Sequence, residues 1–318
     1  MWGYFMWKYC PLILKIWYDL YMEEKFYTLT NDILFKFTFG DPKKTKILIC
    51  LINALLQLEN EQKIIEVEIL NPFNDKEFID DKLSIVDIKV KDQQGFLYNI
   101  EMQVQVPKNW DKRALYYASK LYTSQLKQGH VYKKLNKTIS ISILSNNCFK
   151  NNDDIHNVYR FHNNKTLKPL TGLMELHFIE LAKFSKDKPR SLSSPFEKWL
   201  YTFKYGDLYQ KESDMIPQEL ITEEGIEEAL QAMRFANSDS QTRYLIEARE
   251  KFVHDQASFN DDAREEGLKQ GKAEGKAEAI ISFFLDGDLS IKKARKKIES
   301  LKPLLSPYFY TKIIQKLS

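Results

Sequence analysis

The chain has 318 residues, of which 43% are hydrophobic, 13% aromatic and 29% charged. That is enough apolar material for one large domain or two ordinary ones, and it excludes disorder along the whole length. Lys and Arg number 47 against 44 Asp and Glu, a net charge of +3, so global charge selects no class of partner.

Residues 1–22 are aromatic and apolar but interrupted by Lys8, Pro11, Lys15 and Asp19. No uninterrupted apolar run of about 18 residues suits a membrane span, and no small-residue cleavage site follows a positive start. Residues 1–21 read as an extension upstream of Met22; an interfacial or packing helix is the other reading. No stable membrane association is expected.

Residues 31–58 read as helical, capped by Asn31 or Asp32 and broken at Gly40-Asp41-Pro42. The second part, from about 43 to 58, places Ile47, Leu51, Ala54, Leu55 and Leu58 on one face. Strands are predicted at 64–70 (ended by Asn71-Pro72), 83–90, 97–106 (ended by Pro107) and 138–145. A helix over 111–128, stopped by Gly129, precedes the last strand. The order α-β-β-β-α-β defines a mixed α/β unit, because it holds both a tight hairpin and a helical crossover.

Beyond residue 150 the pattern changes. Residues 150–165 are rich in Asn, Asp and His and read as a loop. Residues 173–204 are apolar and aromatic, broken by Lys188-Pro189-Arg190. Residues 207–266 carry 16 acids and six bases and look mostly helical. In the repeat that follows, Gly267, Gly271 and Gly275 recur every four residues. On a helix they form one stripe, at about 1 kcal/mol of propensity each. The stripe is either a close-packing surface that would support a homo-oligomer or part of a solvated spacer helix. Residues 291–318 carry eight bases and one acid.

Cys10, Cys50 and Cys148 lie far apart and form no C-x-x-C pair. A disulfide framework and a thiolate zinc site are therefore disfavoured, and a reducing, cytoplasmic location is expected. His156 and His162, six apart, match no standard metal spacing and read as loop or surface residues.

The hairpin of the second and third strands carries the most chemical information. Alternation puts Val86, Ile88 and Val90 on one face and Ile85, Asp87 and Lys89 on the other. On the third strand Tyr98, Ile100, Met102, Val104 and Val106 oppose Asn99, Glu101, Gln103 and Gln105. A turn at Gln94-Gly95, with the fold-back symmetric about residue 94, sets Asp87 opposite Glu101. Directly opposed side chains have Cβ atoms about 4.5–5.5 Å apart. Two carboxylates there need an offset: a raised pKa on one of them, or a hard divalent cation such as magnesium or manganese. The plainer alternative is an exposed hairpin with a polar solvent face. Residues 82–137 hold eleven Lys and Arg but only four acids, two of which are this pair. Such a setting suits metal-assisted chemistry on a phosphate polyanion.

These residues resemble a known family. The element order, the acid on the second strand and the acid-x-polar of the third are similar to the PD-(D/E)XK nuclease core. More narrowly, the chain resembles the recombination-promoting nuclease (Rpn) family, also described as PD-(D/E)XK nuclease family transposases. The matching stretches are Asn31–Asp41, Ser84–Val90, Asn99–Gln103, Arg113–Tyr117, Gln125–Gly129, Tyr132–Leu135 and His177–Leu181, together with the Gly repeat. The resemblance covers roughly residues 22–290 and implies a restriction-endonuclease-like core over 22–150; a core-packing extension over 151–206 and a helical region over 207–318 are expected to follow. It implies that Asp87, Glu101 and the carbonyl of Met102 ligate Mg²⁺ or Mn²⁺, with Asp32 assisting from the first helix. Gln103 stands where the wider superfamily usually has Lys, and Lys89 could supply that charge. Arg113 and Gln125, with Lys112 and Lys120, would contact duplex DNA. The implied activity is a metal-dependent DNA endonuclease linked to recombination or mobile elements. The alternatives are a nuclease-fold protein that binds DNA without cutting and acts through assembly, and a protein-interaction module.

Overall fold

The computed structural model describes residues 25–71, 87–129 and 131–317. The extension read at 1–21 and residues 83–86 of the second predicted strand lie outside them. Asn31 caps α1 (Asp32–Phe39), its side-chain oxygen accepting from Ile33 N and Leu34 N at 3.1 Å each. Gly40 ends the helix by donating to the Lys36 carbonyl at 2.7 Å. A Cβ at Gly40 would stand 2.5 Å from that oxygen, so the turn requires glycine. The following helix, α2 (Thr45–Leu56), buries Ile47, Leu51, Ala54 and Leu55, as its periodicity predicts.

Six strands follow: β1 (Val67–Ile69), β2 (Ile88–Asp92), β3 (Leu97–Gln103), β4 (Thr138–Leu144), β5 (His156–Arg160) and β6 (Met174–Glu180). They form one sheet in the order β1-β2-β3-β4-β6-β5. The first three strands pair antiparallel, β3, β4 and β6 run parallel, and β5 closes the far edge antiparallel to β6. The helix α3 (Trp110–Thr123) makes the crossover from β3 to β4. It ends five residues before the predicted last helical residue, 128, because the Thr123 and Ser124 hydroxyls donate to the carbonyls of Lys120 (3.1 Å) and Leu121 (2.8 Å) and so turn the chain.

The sheet does not close at residue 150. The segment read as a loop contains β5, whose polar composition suits an edge strand with one exposed face. β6 lies beside β4 along all seven residues of each strand. His156, read as a loop or surface residue, is half-buried in β5: its Nε2 lies 2.9 Å from His177 Nδ1, and its ring stacks on Phe196.

The helical remainder comprises α4 (Pro195–Tyr205), α5 (Gln218–Ile221), α6 (Ile226–Ser238), α7 (Ser240–Leu285), α8 (Ile291–Leu301) and α9 (Pro307–Gln315). Two compact units divide at Glu247 and Ala248. In the first, one face of the sheet (Ile88, Val90, Ile100, Ile141, Ile143) joins α1, α2, α4 and α6 in a single apolar core. The other face receives α3 through Trp110 and Ala114 against Leu144 and Phe178. In the second unit Ala273, Ala277 and Ile281 of α7 pack with Ala294, Ile298, Leu305, Ile313 and Leu317. The glycines at 267, 271 and 275 are not part of that packing: a Cβ at any of them would meet nothing within 4 Å.

Phe39 is fully buried among Phe35 (ring centroids 4.8 Å apart), Trp199 (5.8 Å) and Phe203 (6.1 Å). Phe39→Ala is expected to destabilise the first unit by about 3–5 kcal/mol, read as a lowered urea midpoint at unchanged m-value.

Candidate active site

The hairpin register rests on one side chain. Asp92 Oδ1 accepts from Gln94 N (2.9 Å) and Phe96 N (2.8 Å), and its Oδ2 accepts from the Tyr98 hydroxyl at 2.9 Å. Gly95 supplies the positive φ, +82°, that the turn needs. The ladder pairs Ile88 with Ile100, Lys89 with Asn99 and Val90 with Tyr98. That is the fold-back about residue 94 expected from the sequence, and one further step sets Asp87 against Glu101.

The polar face of the hairpin is not a solvent face. Asn99 is fully buried and Glu101 is 8% exposed, beside Ser140 and Ser142 of β4. Small residues on both sides, Ser140 and Ser142 below and Ala114 and Ala118 above, accompany the close seating of α3 on the sheet. Asn99 donates to Glu101 Oε1 at 2.6 Å. The remaining Asn99 oxygen is buried without a hydrogen bond among the described residues.

Burial, then the charge of Asp87, pushes the Glu101 carboxyl up to about 7; Asn99, Arg113 and Lys89 oppose the rise. Asp87 is held by Asn71, whose side-chain amide donates to the Asp87 carbonyl (3.1 Å) and carboxylate (3.3 Å) and whose oxygen accepts from Lys89 N at 2.6 Å. The Lys89 ammonium lies 3.1 Å from Asp87 Oδ2. Two acids, one lysine and two asparagines thus converge at the C-terminal end of β3.

The other predicted residues sit as follows. Asp32 occupies the first turn of α1, which packs against β3, and accepts from Ile33 N at 2.9 Å. It does not complete a cluster with the pair: among the described residues no three His, Cys, Asp or Glu side chains are grouped to hold a metal. Gln103, half-buried, ends β3. The Arg113 guanidinium lies over the rings of Trp110 (5.2 Å) and Tyr117 (5.7 Å) and donates to the Tyr117 hydroxyl at 3.3 Å. Lys112 and Lys120 are exposed on α3. Gln125 lies past the end of that helix. Both of its amide hydrogens are used, donating to the Asn136 carbonyl and the Thr138 hydroxyl at 3.0 Å each, while its oxygen accepts from Asn136 N at 2.8 Å. With no donor left for a phosphate, its geometry is that of a loop clamp. Sequence patterning alone does not single out Asn71 and Asn99. Asn99 carries a usable signal, two residues before Glu101 on the same face; Asn71 carries none beyond its place before a proline.

A family model described as PD-(D/E)XK nuclease family transposase matches residues 29–263. The match spans most of the chain, which belongs to that family. No curated protein and no solved structure matches it. The match covers every element named in the site and all six strands. Among the described residues no helix is long and apolar enough to cross a membrane.

Between about pH 4.5 and 7 the folded protein holds the Glu101 proton that the unfolded chain has released. Its contribution to stability therefore falls as pH rises through that window and is level above it. In metal-free protein, Glu101→Gln is expected to remove up to about 3 kcal/mol of the pH dependence between pH 5 and 7.5, read as the difference between wild-type and variant urea midpoints.

Proposed function

We propose that the chain is a metal-dependent endonuclease that hydrolyses phosphodiester bonds of duplex DNA, in the service of recombination or mobile elements. The observation that carries the reading is the opposed pair Asp87, half-buried, and Glu101, buried, faced by Lys89 and Arg113. Two acids held this close, one with its carboxyl raised to about 7, are the donor set that a hard cation would relieve. With the main-chain oxygen of Met102 the set is all oxygen, which fits Mg²⁺ or Mn²⁺ completed by waters and offers zinc neither nitrogen nor sulfur. A cation bound there would supply Lewis acidity and lower the pKa of a bound water.

The chain's own side chains divide the remaining work. Asn71 and Asn99 fix the two carboxylates. Lys89 offsets negative charge as it builds on the phosphate, in place of the lysine that Gln103 replaces. Arg113, held against Trp110 and Tyr117, grips the DNA backbone near the cut, and Lys112 and Lys120 extend that grip along α3. Asp32 acts through solvent. The free thiols of Cys50 and Cys148 suit a reducing, cytoplasmic setting.

Supercoiled plasmid is expected to be nicked or linearised only with Mg²⁺ or Mn²⁺, and Asp87→Ala should lower the rate by at least about 10²-fold while the protein still binds DNA. Metal-dependent cutting that survives in the variant would overturn the assignment of the site. Binding without cutting by the wild type would favour the non-cleaving reading, with Gln103 as its cause. Lys89→Ala should lower kcat by about 10²-fold with little change in KM; a raised KM at unchanged kcat would make Lys89 a binding residue only.

A further inference from the structure

We propose that the end of the sheet opposite the carboxylate pair is a second contact surface for the backbone of duplex DNA. The inference rests on the reading of duplex DNA as the substrate. Strands β3, β4 and β6 begin at this end and β5 finishes there, so the segments 131–137 and 161–173 enter neighbouring strands side by side. Each is tied to the neighbouring strand: Leu97 N of β3 donates to the Lys137 carbonyl (2.9 Å), and Thr138 N of β4 to the Leu173 carbonyl (2.8 Å). From Gln103 back to Leu97 is six residue steps, about 20 Å of strand. A duplex offers a phosphate about every 1.7 Å of its axis, so contacts at both ends of the sheet fall within one short stretch of DNA.

The charge at this end is one-sided. Residues 124–137 carry Lys127, Lys133, Lys134 and Lys137 without an acid, and residues 159–174 carry Arg160, Lys165 and Lys168 without an acid. Two carboxylates of the strand ends, Asp92 and Glu175, are buried and already used. Asp92 is spent on the hairpin turn. Glu175 accepts from Arg160 at 2.7 Å, pairs with Lys137 at 2.9 Å and lies 3.3 Å from His177 Nε2. That leaves Lys133, Lys134, Lys165 and Lys168 exposed, with no partner among the described residues. The exposed acids Glu66 and Glu68 belong to the β1 side, three strands from β4, or about 14 Å. That exceeds the screening length of roughly 8–10 Å in physiological salt.

Apolar side chains stand among these lysines where solvent gives them nothing. Tyr132 is 82% exposed and Leu167 74%. Leu167 sits at the tip of a hairpin closed by Asn163 N to the Lys168 carbonyl and Leu170 N to the Phe161 carbonyl. Its φ is +55°, a conformation that disfavours a branched side chain. Glycine would serve the turn better, so this leucine is not there for the fold. An apolar tip flanked by cations is the pattern by which proteins press into a DNA groove while gripping its phosphates.

The test measures binding of the full chain to a 30-base-pair duplex by fluorescence anisotropy in EDTA, with cleavage followed separately on plasmid. Replacing Lys133, Lys134, Lys165 and Lys168 together by Glu should weaken binding at least 10-fold. It should also flatten the dependence of log Kd on log salt by about 0.9 for each phosphate that is no longer neutralised, with kcat at saturating DNA unchanged. Leu167→Gly should weaken binding several-fold while the thermal midpoint stays the same or rises, an outcome that a purely structural leucine would not give. Unaltered affinity and salt slope in the charge variant would overturn the proposal even if the wild type cuts DNA. Weakened binding in the variant, with no cleavage by the wild type, would overturn the nuclease reading alone. A wild type that binds no duplex would overturn both. Binding of phosphatidylserine vesicles through the same lysines, with none of duplex, would reassign the surface to membranes.

Discussion

Everything at the candidate site depends on the register of one hairpin. A strand has a period of two, so a slip of one residue would carry Asp87, Lys89, Asn99 and Glu101 to the opposite face of the sheet and into the apolar core. The turn prevents that slip. Asp92 ties its own loop through two backbone amides and reaches back to Tyr98, whose ring lies on the apolar face. The alternation of Ile88 and Val90 against Ile100 enforces the same register from the core side. Local turn chemistry and global burial therefore agree, and the opposed carboxylates follow from them.

That arrangement is costly for folding. A buried acid beside another acid is tolerated here through protonation and through polar neighbours, not through apolar packing. Asn99 and Asn71 contribute hydrogen bonds, Lys89 contributes charge, and the serines of β4 leave room. The other face of the same strands is apolar apart from the Asp92–Tyr98 hydrogen bond, and it stacks Phe35, Phe39, Trp199 and Phe203 from α1 and α4 into the core. The sheet thus divides its labour by face: one holds the unit together while the other carries a locally unfavourable constellation.

Much of this was legible in the sequence, and for identifiable reasons. The alternation over 97–106, which the strand follows only as far as Gln103, the Gly95 turn and the apolar face of α2 are local signals, and each led to an observed element. The register needed only the position of the turn. What was not legible depends on distant partners. β5 looks like a loop because an edge strand needs only one buried face, and the pairing of β6 with β4 joins residues more than thirty apart. Gln125 has the composition of a phosphate contact, but its amide is consumed by a loop that the sequence does not place. Asn71 sits at a strand end, where asparagine ordinarily marks a stop, and becomes a clamp only once β2 returns beside β1. The glycine stripe of α7 makes no contact within the chain, where Ala273 and Ala277 of the same helix pack instead.

Under the proposed chemistry, the glutamine at position 103, where the wider superfamily usually has lysine, has a geometric counterpart in the same hairpin. Lys89 precedes the turn as Asn99 follows it, and the two face each other across β2 and β3. A cation on β2 at that position stands on the same face as Asp87 and Glu101 and within 3.1 Å of Asp87. Charge, not its strand of origin, is what an in-line displacement at phosphorus requires near the attacking and leaving oxygens. Under that reading a lysine on β2 in place of one on β3 keeps the sign and the face of that charge. What changes is its partner. On β2 the ammonium is anchored by Asp87, so the carboxylate that would hold the cation also positions the lysine. Under the proposed chemistry, loss of Asp87 would remove a ligand and release a positive charge at once, which couples the two residues more tightly than a lysine on β3 would be.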